Sequence, residues 1–274
     1  MFPSRILPVL VILVIAAGVV LLNWLVVRSL GFEAPFSATG YHSNLSRLHD
    51  FDDAGEPEVL LVGSSITGRF LPSYFSGGAG EVVNLGLDAA GSSTSAEIVL
   101  EGSVKPKVLV LESNGLRKAP NDAGLIIMDT RNTASYHIAA AIPPVRPGFR
   151  PSDVLYSRLK VWKDSRGGQK LPEFDPAKLP ATRWDPDYVN ALLDDLRGRC
   201  DRLVIVNYPS ISQSDPDLVV LLRDLSARDE SIVYLDLHEE MKDEGLRFTD
   251  KVHLAAPSAR KVAEHLEQHI ETIR

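Results

Sequence analysis

The 274-residue sequence has a single cysteine, Cys200. One thiol can form no intrachain disulfide and can build no thiolate metal cluster. The chain also lacks any dense block of lysine and arginine, and its net charge is -7. A nucleic-acid partner is excluded on that ground, because such binding needs clustered positive charge to release counterions from phosphates. No internal repeat is present.

Long hydrophobic runs are absent too, with one exception. From Ile6 to Val27 the chain reads ILPVLVILVIAAGVVLLNWLVV, 22 residues with no charge and one strongly polar side chain, Asn23. That length crosses a hydrocarbon core of about 30 Å as a helix. Arg5, Ala16, Ala17 and Gly18 also fit a cleaved signal peptide, but the run exceeds the usual apolar region of one and no clean small-x-small site follows. A retained anchor over residues 1–28 is therefore the expectation. Arg5 is matched by Arg28, so the amino terminus and the acid after Phe32 orient the span, with the N-terminus cytoplasmic and the rest periplasmic or extracellular.

Residues 29–57 mix Gly, Ser, Asn and Asp, which predicts a juxtamembrane linker with room for one short helix. From 58 to 274 the pattern changes. Five short apolar runs recur: VLLVG (59–63), VVNLG (82–86), KVLVLES (107–113), RLVIVNYP (202–209) and SIVYLDL (231–237). Their continuous, β-branched character suits strands covered on both faces. Helical spacing marks 93–102, 186–198, 216–227 and 257–273, three of them opening with Pro in the first turn. Strand then helix, repeated, predicts an α/β fold with a parallel sheet and crossover helices. About seventy residues, 115–184, interrupt it, too many for an ordinary connection, and read as a lid or substrate platform.

Gly63, Ser64 and Ser65 follow the first strand at once, at the sheet edge where α/β proteins bind ligands. The stretch is no P-loop, since Arg69 stands where a lysine is needed, and no G-x-S-x-G elbow, since position 67 is Thr67. A serine nucleophile needs a base, and the base needs an orienting carboxylate. Asp250 and His253, in RFTDKVHL before the last helix, offer both. Acyl transfer also needs donors aimed at an oxyanion. Gly86, after the second strand, offers a backbone N–H, and Asn114, after the third, a side-chain amide. Taken singly, each of these reads equally well as a turn residue.

In the order Ser65, Gly86, Asn114, Asp250, His253, the set resembles the SGNH, or GDSL-like, hydrolase superfamily over residues 58–273 apart from the insertion. The resemblance implies a three-layer, doubly wound, flavodoxin-like α/β sandwich on a five-stranded parallel sheet. It also implies Ser65 as nucleophile, His253 as general base and acid, Asp250 as its orienter, and Ser65, Gly86 and Asn114 as the oxyanion hole. Two blocks depart from the family pattern: Ser64 stands in the Asp place of GDS, and Glu112 to Gly115 read ESNG where GxND is common. The membrane helix fits an extracytoplasmic branch of esterases and O-acyltransferases acting on acylated envelope carbohydrate, a substrate class that is analogy alone.

No metal or organic cofactor is expected, because the triad needs neither. His42, His49, His137, His238, His265 and His269 show no ligand spacing, and the last two read as a solvated helix face. Two other expectations remain: a catalytically silent scaffold of an envelope-polymer complex, suggested by Ser64, and a carbohydrate-binding surface built from Trp162, Trp184, Tyr136 and Tyr156.

Overall fold

Seven strands occur among the described residues: β1 (Val59–Ser64), β2 (Val82–Leu87), β3 (Val108–Glu112), β4 (Gln169–Lys170), β5 (Arg202–Val206), β6 (Ile232–Leu235) and β7 (Arg247–Phe248). Ten α-helices join them: α1 (Ile6–Ser29), α2 (Gly40–Asp52), α3 (Ser92–Glu101), α4 (Asp122–Thr130), α5 (Ala134–Ala141), α6 (Pro151–Arg166), α7 (Pro186–Arg197), α8 (Pro216–Arg228), α9 (Leu237–Glu240) and α10 (Ala256–Ile273). The computed structural model describes residues 6–29, 39–77, 81–117, 119–166, 169–170, 184–211, 214–250 and 252–273. Parts of the expected linker (30–38) and insertion (118, 167–168, 171–183) lie outside the described residues.

The five apolar runs form one all-parallel sheet in the order β2-β1-β3-β5-β6, while β4 and β7 make a separate antiparallel pair. Alternation along each strand sends successive side chains to opposite faces. Leu60 and Val62 join one buried cluster with side chains of α2, α3, α7 and α8; Val59 and Leu61 join another with α10. Both faces are covered, which is why the strands carry almost no polar residue. Asp185 and Asp215 cap α7 and α8, each followed by a proline at a first-turn position. The chain leaves β1 toward one edge and returns to place β3 on the other side, so the carboxyl ends of β1 and β3 flank a switch point, the usual crevice of open α/β sheets.

Two stretches with little periodicity in the sequence carry structure. The stretch expected to be linker up to residue 57 contains α2, and Leu48 and Phe51 are fully buried against the sheet. The domain therefore takes in residues from about Gly40. The helix is short and mostly polar, with only a narrow apolar stripe facing the core, and that stripe is too thin to stand out in the sequence. The described part of the insertion, in turn, contains α4, α5, two 3-10 turns (Pro143–Val145 and Pro147–Phe149), α6 and β4.

α1 is long and apolar enough to cross a membrane, and nearly all of it is exposed. Among the described residues, only its C-terminal end meets the domain. There Asn23 Nδ2 donates to Phe149 O, and the Trp24 and Phe149 rings meet edge-on with centroids 6.4 Å apart.

His49, near the end of α2, is buried and stacks on Tyr136 of α5 with centroids 4.2 Å apart. Burial, reinforced by Arg146 and opposed by Asp52 and Asp53, lowers its pKa to about 4. In the unfolded chain the ring titrates near 6.5, so between these values the unfolded state binds more protons. His49 thus supports full stability above about pH 6.5, and that support is lost as pH falls toward 4. His49→Phe, which keeps the stack, is expected to flatten the fall in the urea midpoint between about pH 6.5 and 5. An unchanged slope would assign the acid sensitivity to other groups.

Candidate active site

β1 ends at Ser64, and the chain turns through Ser65 and Ile66 into a 3-10 turn at Thr67–Arg69. Glu112, the last residue of β3, is fully buried and organises that turn. Its Oε1 accepts from Ser64 Oγ at 2.6 Å. Its Oε2 accepts from Ser64 N at 2.8 Å, Thr67 N at 3.1 Å and Thr67 Oγ1 at 2.7 Å. This carboxylate is the reason a buried strand runs straight into a glycine and two serines. A Cβ at Gly63 would collide with Thr67 Oγ1 and stand 2.6 Å from Glu112 Oε2, so only glycine leaves room for the carboxylate. Ile66 N donates to Ser64 Oγ at 3.2 Å. Among the N–H groups of residues 64–67, that of Ser65 takes no acceptor among the described residues.

The structure brings Ser65, His253 and Asp250 together. His253 Nε2 lies 2.8 Å from Ser65 Oγ, and His253 Nδ1 lies 2.8 Å from Asp250 Oδ2. The tautomer that satisfies both contacts has Nδ1–H donating to Asp250 and Nε2 accepting from the hydroxyl. Asp250 Oδ1 accepts from the backbone N–H groups of Val252 and His253, both at 2.7 Å. One carboxylate thus folds the turn with one oxygen and holds the ring with the other, which is what the three-residue spacing makes possible. Thr249 N donating to His253 O at 2.9 Å and Ser210 Oγ donating to Val252 O at 3.1 Å tie the turn down. Burial acts to raise the Asp250 carboxyl, but the bonds from the His253 ring and from the two N–H groups outweigh it and draw it to about 2. The Asp250 carboxylate stays ionised across the neutral range.

Asn114 is fully buried just beyond β3. Its Oδ1 accepts from Tyr208 N at 2.7 Å and its Nδ2 donates to Tyr208 O at 2.9 Å, which fixes the amide plane beside the β5 exit. Gly86 departs from expectation. Its N–H donates to Asn84 Oδ1 at 2.7 Å instead of pointing outward to a ligand. The residue is glycine for packing: a Cβ there would collide with Gly68 N and stand 2.7 Å from Gly68 Cα. Asn84 Nδ2 also donates to Thr67 O at 2.8 Å and Phe70 O at 2.5 Å, so this pair clasps the far side of the turn that carries Ser65. The backbone beyond β2 presents donors in place of Gly86. Register pairs Ser64 with Leu87, so Asp88–Gly91 continues beside Ser65; Asp88 and Ala89 form a turn closed by the Ala90 N–H, and the N–H groups of Ala89 and Gly91 take no acceptor among the described residues. Ala89 holds φ at +63, a left-handed conformation that costs a non-glycine residue about 1 kcal/mol.

Sequence reasoning passed over Glu112, Asn84 and Arg47 as working parts. Arg47 of α2 donates to Gly86 O and, at 3.2 Å, to Gly68 O, and pairs with Asp88 at 3.3 Å. A carboxylate ending an otherwise apolar buried strand was a readable signal for Glu112, because such a group needs donors. Arg47 carried no signal, since its partners are mostly backbone carbonyls remote in sequence. Of the four aromatics expected to form a stacking surface, Tyr136 is buried and Trp184 packs on the core, which leaves Tyr156 and Trp162 exposed. Compared with known proteins, the chain matches no family model and no curated protein.

Proposed function

We propose that the chain is an SGNH-like serine esterase or O-acyltransferase that works through an acyl-serine intermediate. The carrying observation is the continuous chain Asp250–His253–Ser65, with both links at 2.8 Å. The flavodoxin-like reading of the fold draws support from the parallel order β2-β1-β3-β5-β6 and from helices on both faces. Ser65 Oγ attacks the acyl carbonyl as its proton passes to His253 Nε2, and the imidazolium is held by Asp250. Ser65 N–H, the backbone of residues 89–91 and the Asn114 amide take the oxyanion. His253 then protonates the departing alkoxide, leaving the acyl group on Ser65. Water, or a carbohydrate hydroxyl, gives up its proton to His253 and attacks the acyl carbonyl, and His253 returns that proton to Ser65 Oγ as the acyl–serine bond breaks. The apolar α1 supports work at a membrane surface, with acylated envelope or extracellular carbohydrate as the substrate class.

A fluorophosphonate probe is expected to label the purified full-length chain once, at Ser65, with labelling abolished in Ser65→Ala. Folded protein that takes no label would favour the silent-scaffold reading. Asn114→Ala is expected to raise the barrier for turnover by about 2.7 to 4 kcal/mol if its amide meets the oxyanion. A fall in thermal stability with kcat unchanged would instead restrict Asn114 to anchoring Tyr208.

A further inference from the structure

We propose that Glu240, His265 and His269 form a site for one divalent ion of the zinc class, apart from the nucleophile. His265 and His269 stand four residues apart on α10, so their rings leave one face a turn apart. Glu240 closes α9 and reaches the same point. Both Nε2 atoms lie 3.0 Å from Glu240 Oε2, and the rings are almost perpendicular, at 83°. The three donor atoms all lie within 4.8 Å of one another. Tetrahedral zinc, with bonds of about 2.0 to 2.2 Å, needs ligand atoms roughly 3.4 Å apart, so the two His–Glu separations of 3.0 Å need to open by only tenths of an ångström. Each neutral ring would shift its proton to Nδ1 and offer the Nε2 lone pair. All three groups are about one-third exposed, which leaves an entry path and a fourth position for water. Glu240 precedes and His265 follows the segment that carries Asp250 and His253, so a bound ion ties together the two ends of the loop holding the base.

Zinc chloride titrated into the full-length chain in detergent, followed by calorimetry and thermal melting, tests this. One ion per chain is expected, with a rise in melting temperature and at least a tenfold loss of affinity in His269→Asn. Should that variant fail to fold, Glu240→Gln supplies the same comparison. No saturable binding, or equal affinity in wild type and variants, overturns the site.

A second observation independently assigns a surface. Outside α1, all but two of the exposed large hydrophobics among the described residues fall between Leu125 and Trp162. On α6, Leu155, Leu159 and Trp162 repeat at helical spacing and are each more than half exposed, with Tyr156 beside them. Soluble surfaces rarely gather so much apolar area without a partner. We infer that this face lies in the interface of the bilayer that α1 enters, an inference that rests on α1 being a membrane span. Continuity points to the bilayer: Phe149, two residues before α6, packs on Trp24 at the end of α1, four residues from Arg28. Composition agrees, since Arg158, Lys160, Lys163 and Arg166 punctuate the stripe and the Arg166 guanidinium lies 4.2 Å from the Trp162 ring centre, a pattern suited to anionic headgroups. β4, which follows α6, pairs with β7 just before the Asp250–His253 turn, so the same segment leads from the membrane to the base.

The test places a nitroxide at L159C or at L13C in a Cys200→Ser background, with the full-length protein in anionic vesicles. Collision rates with lipid-soluble oxygen and with a water-soluble nickel chelate report each site's surroundings. Oxygen-dominated relaxation at both positions is expected. A lipid-like signal at position 13 with an aqueous or protein-shielded one at 159 overturns the surface while leaving the anchor. Aqueous signals at both positions overturn the two together.

Discussion

Ser65→Ala is expected to lower kcat by at least about 10⁴-fold, and His253→Ala by a similar factor, on whichever acyl ester the protein turns over. The reason is geometric. Ser65 Oγ and His253 Nε2 stand 2.8 Å apart and act as one unit, so once either is gone the other has no task. The double variant should consequently be scarcely slower than either single one. Multiplying penalties would show that the two residues act independently and would sink the proposed relay. Turnover of that ester by the three variants makes the comparison, with unchanged melting temperatures as the control for folding.

The second large effect belongs to Glu112. Its buried carboxylate accepts four hydrogen bonds from Ser64 and Thr67. Glu112→Gln puts an amide N–H₂ where acceptors are required, so at least one buried donor loses its partner. The expected cost is about 2 to 4 kcal/mol, read from the shift in urea midpoint. Labelling of Ser65 by a fluorophosphonate should slow as well, because the nucleophile turn loses its anchor. Ser64→Asp supplies a sharper test. Alone it sets a second carboxylate against Glu112 and should be strongly destabilising; combined with Glu112→Gly, which removes the first, much of the loss should return. A coupling energy near the upper end of about 0.5 to 3 kcal/mol is expected from the cycle. Strict additivity would mean that the carboxylate at 112 does not hold the serine turn. On the SGNH reading, this cycle also accounts for both departures from the family pattern: a carboxylate moved from the nucleophile turn to the adjacent strand serves the same turn.

What could be read without coordinates was whatever the chain encodes over a few residues. Strands buried on both faces must be continuously apolar, so β1, β2, β3, β5 and β6 were visible as runs. The Asp250–His253 bond spans three residues, and its spacing is the bond itself. α1 was visible because its length and its apolar composition run unbroken over one local stretch, long enough to cross a hydrocarbon layer.

What spans the sequence was decided by topology. His253 meets Ser65 across 188 positions only because β1 and the turn before α10 end at the same sheet edge. Glu112 and Ser64 meet because β3 lies beside β1, and strand neighbours are not written in either strand. Gly86 looked like a donor from its place after β2, yet its N–H was claimed by Asn84 two residues back, a contact that depends on which way the side chain leaves the pleat. α2 was lost to the expected linker because two fully buried apolar side chains, Leu48 and Phe51, dock an otherwise polar segment. Local hydrogen bonds and burial set a spacing or a composition that sequence displays. Long-range pairs are fixed by the order in which strands pack, so their partners carry no mark until the sheet is assembled.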